Sequence, residues 1–203
     1  MIIKVCGMRD EVNIQEVERL NIDWMGFIFH PGSTRYVGSK LNYIPSNVKK
    51  VGVFVNQEIQ IVRVQAAQNN LDAIQLHGSE SPDYCLSLRK EGCMVLKAFG
   101  VGDNGFIPFA QLDAYEGKCD YFLFDRKTIL HGGSGMKFNW KRLSDYHGDT
   151  PFLLSGGISP EDLAEIKSFV HPSFAGIDIN SRFETAPALK NKDLIEKFIE
   201  ELR

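Results

Sequence analysis

PFLLSGGISPEDLAEIKSFVHPSFAGIDINS, residues 151–181, contains one complete strand, turn, helix and strand. FLLSG (152–156) and FAGIDI (174–179) are short runs rich in Leu, Ile and Phe. Their near-continuous apolarity suits strands covered on both faces, as in a parallel sheet, where a strand with one wet face would alternate. Between them, SPEDLAEIKSF (159–169) has helical spacing, and Ser159-Pro160 places a capping hydroxyl before a proline at the first helical position.

The same unit recurs outward in both directions. Further runs are IIKVC (2–6), WMGFIF (24–29), KVGVFV (50–55), AIQLH (73–77), MVLKAF (94–99) and YFLFD (121–125), making eight in all. Helical segments lie at 11–20, 58–68, 81–92 and 192–202. Asp10 and Ser81-Pro82 serve as N-terminal caps, and Gly92 as a stop. The second, fifth and sixth connections, around SKLNYI, FIPFAQLDAY and NWKRLSDY, are weaker helices. Eight alternations predict an α/β fold of the (β/α)8 TIM-barrel type, a single domain over residues 1–203.

With 203 residues, 43% of them hydrophobic, the chain can bury one sizeable core. A net charge of -3 argues against a nucleic-acid or membrane surface, which calls for a basic excess, and favours a small-molecule partner. Cys6, Cys85, Cys93 and Cys119 form no CxxC pair, so a metal site is not expected. Free thiols and the lack of a basic leader or long apolar segment suggest a reducing, cytoplasmic setting.

Barrel enzymes build their sites at the carboxyl ends of the strands. There the chain carries Cys6, His30, Asn56, His77, Lys97, Asp125, Ser155 with Gly156 and Gly157, and Asp178 with Asn180 and Ser181. Consecutive glycines between the seventh strand and a helix start leave amides free for an anion, and Asn180-Ser181 can complete a phosphate cradle. Arg35, in HPGSTRYVG after strand two, has a guanidinium suited to a carboxylate. Cys6 and Asp125 fall on opposite sides of the mouth. As base and acid they call for a thiol of depressed pKa and a carboxyl kept protonated by burial. The glycine cluster HGGSG (131–135) suits a closing loop. Lys97 leaves a second chemistry open, that of a Schiff-base aldolase.

KVCG (4–7), STRYV (33–37), VGVFVN (51–56), IQLHG (74–78), FLFD (122–125), GGSG with FNW (132–140), LSGGISPED (154–162) and GIDINS (176–181) together resemble the phosphoribosylanthranilate isomerases of tryptophan biosynthesis. The resemblance implies a cofactor-free cytoplasmic barrel, monomeric or homodimeric, acting on a sugar-phosphate by an Amadori rearrangement. It implies Cys6 as general base and Asp125 as general acid. Arg35 would hold the anthranilate carboxylate, Asp178 would lie near the sugar hydroxyls, and Gly156, Gly157, Asn180 and Ser181 would hold the phosphate. DINSRFE (178–184) departs from the usual DVSSG-VE, with Arg182 in place of a glycine.

Overall fold

The structure is a computed structural model that describes residues 1–102, 106–126 and 138–203. Eight parallel strands close into a barrel in chain order: β1 (Ile2–Val5), β2 (Trp24–Ile28), β3 (Lys49–Phe54), β4 (Ala73–Leu76), β5 (Met94–Val101), β6 (Tyr121–Arg126), β7 (Phe152–Leu154) and β8 (Phe174–Ile179). β8 pairs back onto β1, with Lys4 opposite Asp178. All eight expected runs are strands. Their ends move by a residue or two where the ladder continues or stops.

Side chains alternate between the barrel interior and the helix layer. Trp24, Val51, Ala73, Leu96 and Leu153 form a small interior cluster, while Ile3, Val5, Phe122, Phe124, Ile177 and Ile179 join the larger core beneath the helices. By this alternation Lys4, Cys6, Gly26, Gln75, His77, Asp125, Ser155, Asp178 and Asn180 share the interior face. Lys97, one residue from Leu96, is on the other.

The helices of the outer layer are α1 (Glu11–Val17), α2 (Ile59–Gln68), α3 (Pro82–Lys90), α4 (Phe109–Leu112), α5 (Leu163–Ser168) and α6 (Lys192–Leu202). Asp10 and Ser81 cap α1 and α3 as expected, accepting from the amides of Asn13 and Tyr84. The three weak connections are irregular in different degrees. Between β2 and β3 there is no helix, and the chain is tied down by Asn69, whose side chain accepts from Leu41 N at 2.7 Å and donates to Ser39 O at 3.1 Å. The fifth keeps the single turn α4. The sixth has a 3-10 segment, Trp140–Asp145, after which Tyr146 packs edge-on against Phe124 and Phe152, at centroid distances of 6.0 and 5.7 Å. Those rings supply the apolar cover that a helix would give.

After β8 the chain forms a 3-10 turn, Ser181–Phe183, and a two-stranded antiparallel ribbon, β9 (Glu184–Ala186) and β10 (Leu189–Lys190). This ribbon is absent from the sequence expectations. No helix among the described residues is long and apolar enough to cross a membrane.

Candidate active site

Cys6 follows β1 and continues its interior alternation, two residues beyond Lys4. Gly26 on β2 makes the room: a Cβ there would meet Cys6 Sγ at 2.7 Å and Lys4 Nζ at 3.1 Å. Lys4, fully buried, donates from Nζ to Asp178 Oδ1 at 2.9 Å and lies on the same strand face as Cys6. Ser155 Oγ donates to the other Asp178 oxygen at 3.3 Å. Burial opposes the charge on Lys4, but Asp178 and Cys6 outweigh it and hold the ammonium above the ordinary lysine range.

The depressed pKa expected of the thiol is not found. Cys6 is 4% exposed, and burial pushes its pKa up, with Lys4 and Lys190 opposing and Asp178 adding to the rise. Proximity to a lysine does not outweigh removal from water. A raised pKa has a compensating use, because the thiolate, once formed, is the stronger base.

Asp125, on β6, is 27% exposed at its side chain and paired with His77 Nε2 at 3.1 Å, so it is not the sealed carboxyl that the sequence suggested. Gln75 Nε2 stands 2.8 Å from His77 Nδ1. With the amide donating there, the ring proton sits on Nε2 and points at Asp125.

Gly156 and Gly157 follow β7 with φ of +84° and +81°, a conformation that side-chain-bearing residues rarely adopt. A Cβ on Gly156 would meet the Arg126 amide at 2.6 Å and Asp125 Oδ1 at 2.9 Å, so this turn lies directly against the candidate acid. Asp162 accepts from the Ser159 amide at 2.9 Å, so that amide is already satisfied within the turn. Gly157, Ser159 and Arg182 line one cleft. Arg182 therefore stands beside the candidate phosphate cradle.

Arg35 is buried, 7% exposed, and not the surface arginine that an isolated reading of its loop would allow. Its Nε donates to Glu184 Oε1 at 2.8 Å and its Nη2 to Oε2 at 2.6 Å. Gly7, the neighbour of Cys6, is where Arg35 approaches: a Cβ on Gly7 would be 2.6 Å from Arg35 Cδ and 2.7 Å from Asn180 Oδ1. Asn180 in turn accepts from Lys190 Nζ at 2.7 Å, and Ser181 opens the following 3-10 turn.

Cys6, Asp125, Arg35, Gly156, Gly157, Asn180 and Ser181 thus gather at one end of the barrel. Asp178 is a layer deeper, with both oxygens taken by Lys4 and Ser155. Lys97 is not in the mouth at all. It faces the helix layer and donates to Leu76 O, Gly78 O and Glu80 Oε2 at 3.2, 2.6 and 3.1 Å, which removes it as a Schiff-base nucleophile. The HGGSG loop lies outside the described residues. Lys4, His77's pairing with Asp125, Glu184 and Lys190 were missed as a group. Only Lys4 left a signal, a charge two residues before Cys6 on the same strand face.

Comparison with known proteins bears on the family and the fold. The family model for N-(5'-phosphoribosyl)anthranilate isomerase matches residues 3–201. The N-(5'-phosphoribosyl)anthranilate isomerase of Phocaeicola vulgatus is 47% identical over 203 residues, covering 100% of this chain and 98% of the relative. The crystal structure of phosphoribosyl anthranilate isomerase from Thermotoga maritima superposes with a TM-score of 0.83 at 31% identity, covering 100% of this chain and 98% of its own. A phosphoribosyl anthranilate isomerase in complex with reduced 1-(o-carboxyphenylamino)-1-deoxyribulose 5-phosphate has a TM-score of 0.78 at 28% identity, with coverage of 100% and 98%. The chain belongs to the N-(5'-phosphoribosyl)anthranilate isomerase family and is an intramolecular isomerase built on a TIM barrel.

Proposed function

We propose that this barrel converts N-(5'-phosphoribosyl)anthranilate into 1-(2-carboxyphenylamino)-1-deoxyribulose 5-phosphate, with Asp125 as general acid and Cys6 as general base. The observation that carries the assignment is the close approach of Arg35 to the backbone at Gly7, leaving no room for a Cβ there, which sets a carboxylate anchor beside the candidate base. Asp125, against the Gly156 turn, then lies toward the phosphate-bearing side.

Asp125 gives its proton to the ribose ring oxygen as the C1'–O bond breaks and the anthranilate nitrogen lone pair forms the C1'=N bond. Cys6 thiolate next removes the C2' proton. The C2'–H electrons form C1'=C2', and the C=N electrons return to nitrogen. The resulting enolamine takes a proton at C1' and loses the C2' hydroxyl proton, leaving the ketone. The two proton transfers each ask for a positioned acid or base, worth on the order of 10²- to 10⁴-fold apiece.

Arg35 holds the anthranilate carboxylate, and the amides of Gly156, Gly157, Asn180 and Ser181 hold the phosphate. Asp178 serves the sugar side at one remove, by fixing Lys4 beside the thiol. No cofactor takes part, and the enzyme works as a monomer or homodimer. The free cysteines suit a cytoplasmic location.

Turnover in D₂O tests the route. The product should carry one non-exchanging deuterium at C1' from the enolamine step. A product whose C1' hydrogen came wholly from the substrate's C2' would contradict a solvent-exchanging base.

A further inference from the structure

The β9–β10 ribbon reaches back over the mouth with two buried ions. Glu184 accepts from Arg35 through both oxygens, and the same carboxylate accepts from Lys190 Nζ and, at 3.1 Å, from the Ala188 amide. Lys190 Nζ also donates to Asn180 Oδ1 at 2.7 Å. The backbone of Lys190 is clamped to α1, its amide donating to Asn13 Oδ1 at 2.7 Å and its carbonyl accepting from Asn13 Nδ2 at 2.9 Å. Arg35, Glu184, Lys190 and Asn180 therefore form one chain of hydrogen bonds, running from the carboxylate anchor to the residue that opens the phosphate turn.

A guanidinium has more than one edge that can grip a carboxylate. Glu184 takes the Nε–Nη2 edge, and among the described residues nothing accepts from Nη1. One edge of Arg35 is thus spent on holding its plane, and the other remains for a ligand. An Arg–Glu pair alone would be neutral and offer a carboxylate little net attraction. Lys190 restores the charge, since two cations and one anion leave the cluster at +1.

Resting on the functional reading above, we propose that Glu184 and Lys190 are positioning residues: they form a strap that orients Arg35 toward an aromatic carboxylate and ties that anchor to Asn180 at the phosphate end. The pair makes specificity for the carboxylate-bearing substrate a property of the ribbon, not of Arg35 alone.

Two probes test the strap: reduced 1-(o-carboxyphenylamino)-1-deoxyribulose 5-phosphate and its phenylamino counterpart lacking the carboxylate. The wild type should bind the first on the order of 10- to 100-fold more tightly, the range for a charge-assisted hydrogen-bonded contact. Glu184→Ala and Lys190→Met should each remove most of that preference while leaving affinity for the second probe nearly unchanged. In turnover their loss should fall on KM more than on kcat. Lys190→Arg should keep the preference. Should Lys190→Met fail to fold, Lys190→Gln, which keeps a polar head beside Asn180 and Glu184 but leaves the cluster neutral, carries the same prediction. A wild type that discriminates, with variants that discriminate equally or lose both probes alike, overturns the strap alone. A wild type that binds both probes alike overturns the reading of Arg35 and the strap with it.

Discussion

Lys4 and Asp178 are register partners across β1 and β8 and share a 2.9 Å hydrogen bond inside the barrel, with side chains 0% and 4% exposed. This is an ion pair with no water to fall back on. Removing one partner strands the other charge, so Lys4→Met should destabilise the fold by about 3–5 kcal/mol. Lys4→Met/Asp178→Leu, which removes both charges, should recover most of that loss in urea unfolding. A double variant no more stable than Lys4→Met would show that the pair is not the source.

Burial governs the thiol. Alkylation of Cys6 in the free enzyme should be slow at pH 7 and accelerate only above the ordinary thiol value of about 8.5. kcat/KM should climb over the same range. Lys4→Met/Asp178→Leu should delay the alkylation further, because the cation that favours the thiolate is gone. A Cys6 that reacts fully at pH 7 would show that charge outweighs desolvation here.

How far the sequence discloses this site depends on range. The barrel was legible because each strand is an apolar run covered on both faces, a local property that leaves eight separate traces. Gly156-Gly157 was legible for the same reason, a turn and helix start adjacent in sequence. The partnership of Lys4 with Asp178 spans 174 residues, and that of Arg35 with Glu184 spans 149, so neither leaves a local pattern. The ribbon carrying Glu184 and Lys190 has strands of three and two residues, too short for any alternation to show. Cys6 stands out by its place at a strand end, but the direction of its pKa does not, because the side chain follows the alternation inward, into the buried space left by Gly26.

Two glycines hold the geometry of the mouth. Gly26→Ala would drive a methyl into Cys6 Sγ at 2.7 Å and the Cys6 Cα at 3.1 Å, displacing the proposed base. It should lower kcat far more than it lowers Tm. Gly156→Ala combines φ +84° with a 2.6 Å approach to the Arg126 amide, so it should cost about 1–3 kcal/mol of stability and weaken inorganic phosphate binding. Near-normal kcat in Gly26→Ala, or unchanged phosphate affinity in Gly156→Ala, would contradict these placements.

Glu184 sets an acid limit. Burial works against its charge, but Arg35 and Lys190 outweigh it and hold the carboxyl below its ordinary value. Between the folded value and the unfolded one of about 4.3, the unfolded chain binds the extra proton. Stability from this group is therefore complete above pH 4.3 and lost as pH falls toward and through the folded value. Glu184→Gln should show a smaller drop in urea midpoint than the wild type as pH is lowered from about 4.5 to about 3. An equal drop would mean that other carboxylates carry the effect.

The central claim is that Cys6 and Asp125 perform the two proton transfers. Its most direct measurement is the disappearance of freshly generated N-(5'-phosphoribosyl)anthranilate with the wild type, Cys6→Ala and Asp125→Asn, each checked for folding. Wild-type turnover, with each substitution lowering kcat on the order of 10²- to 10⁴-fold in a folded protein, is the expected result. Unchanged turnover in Cys6→Ala or in Asp125→Asn would contradict it.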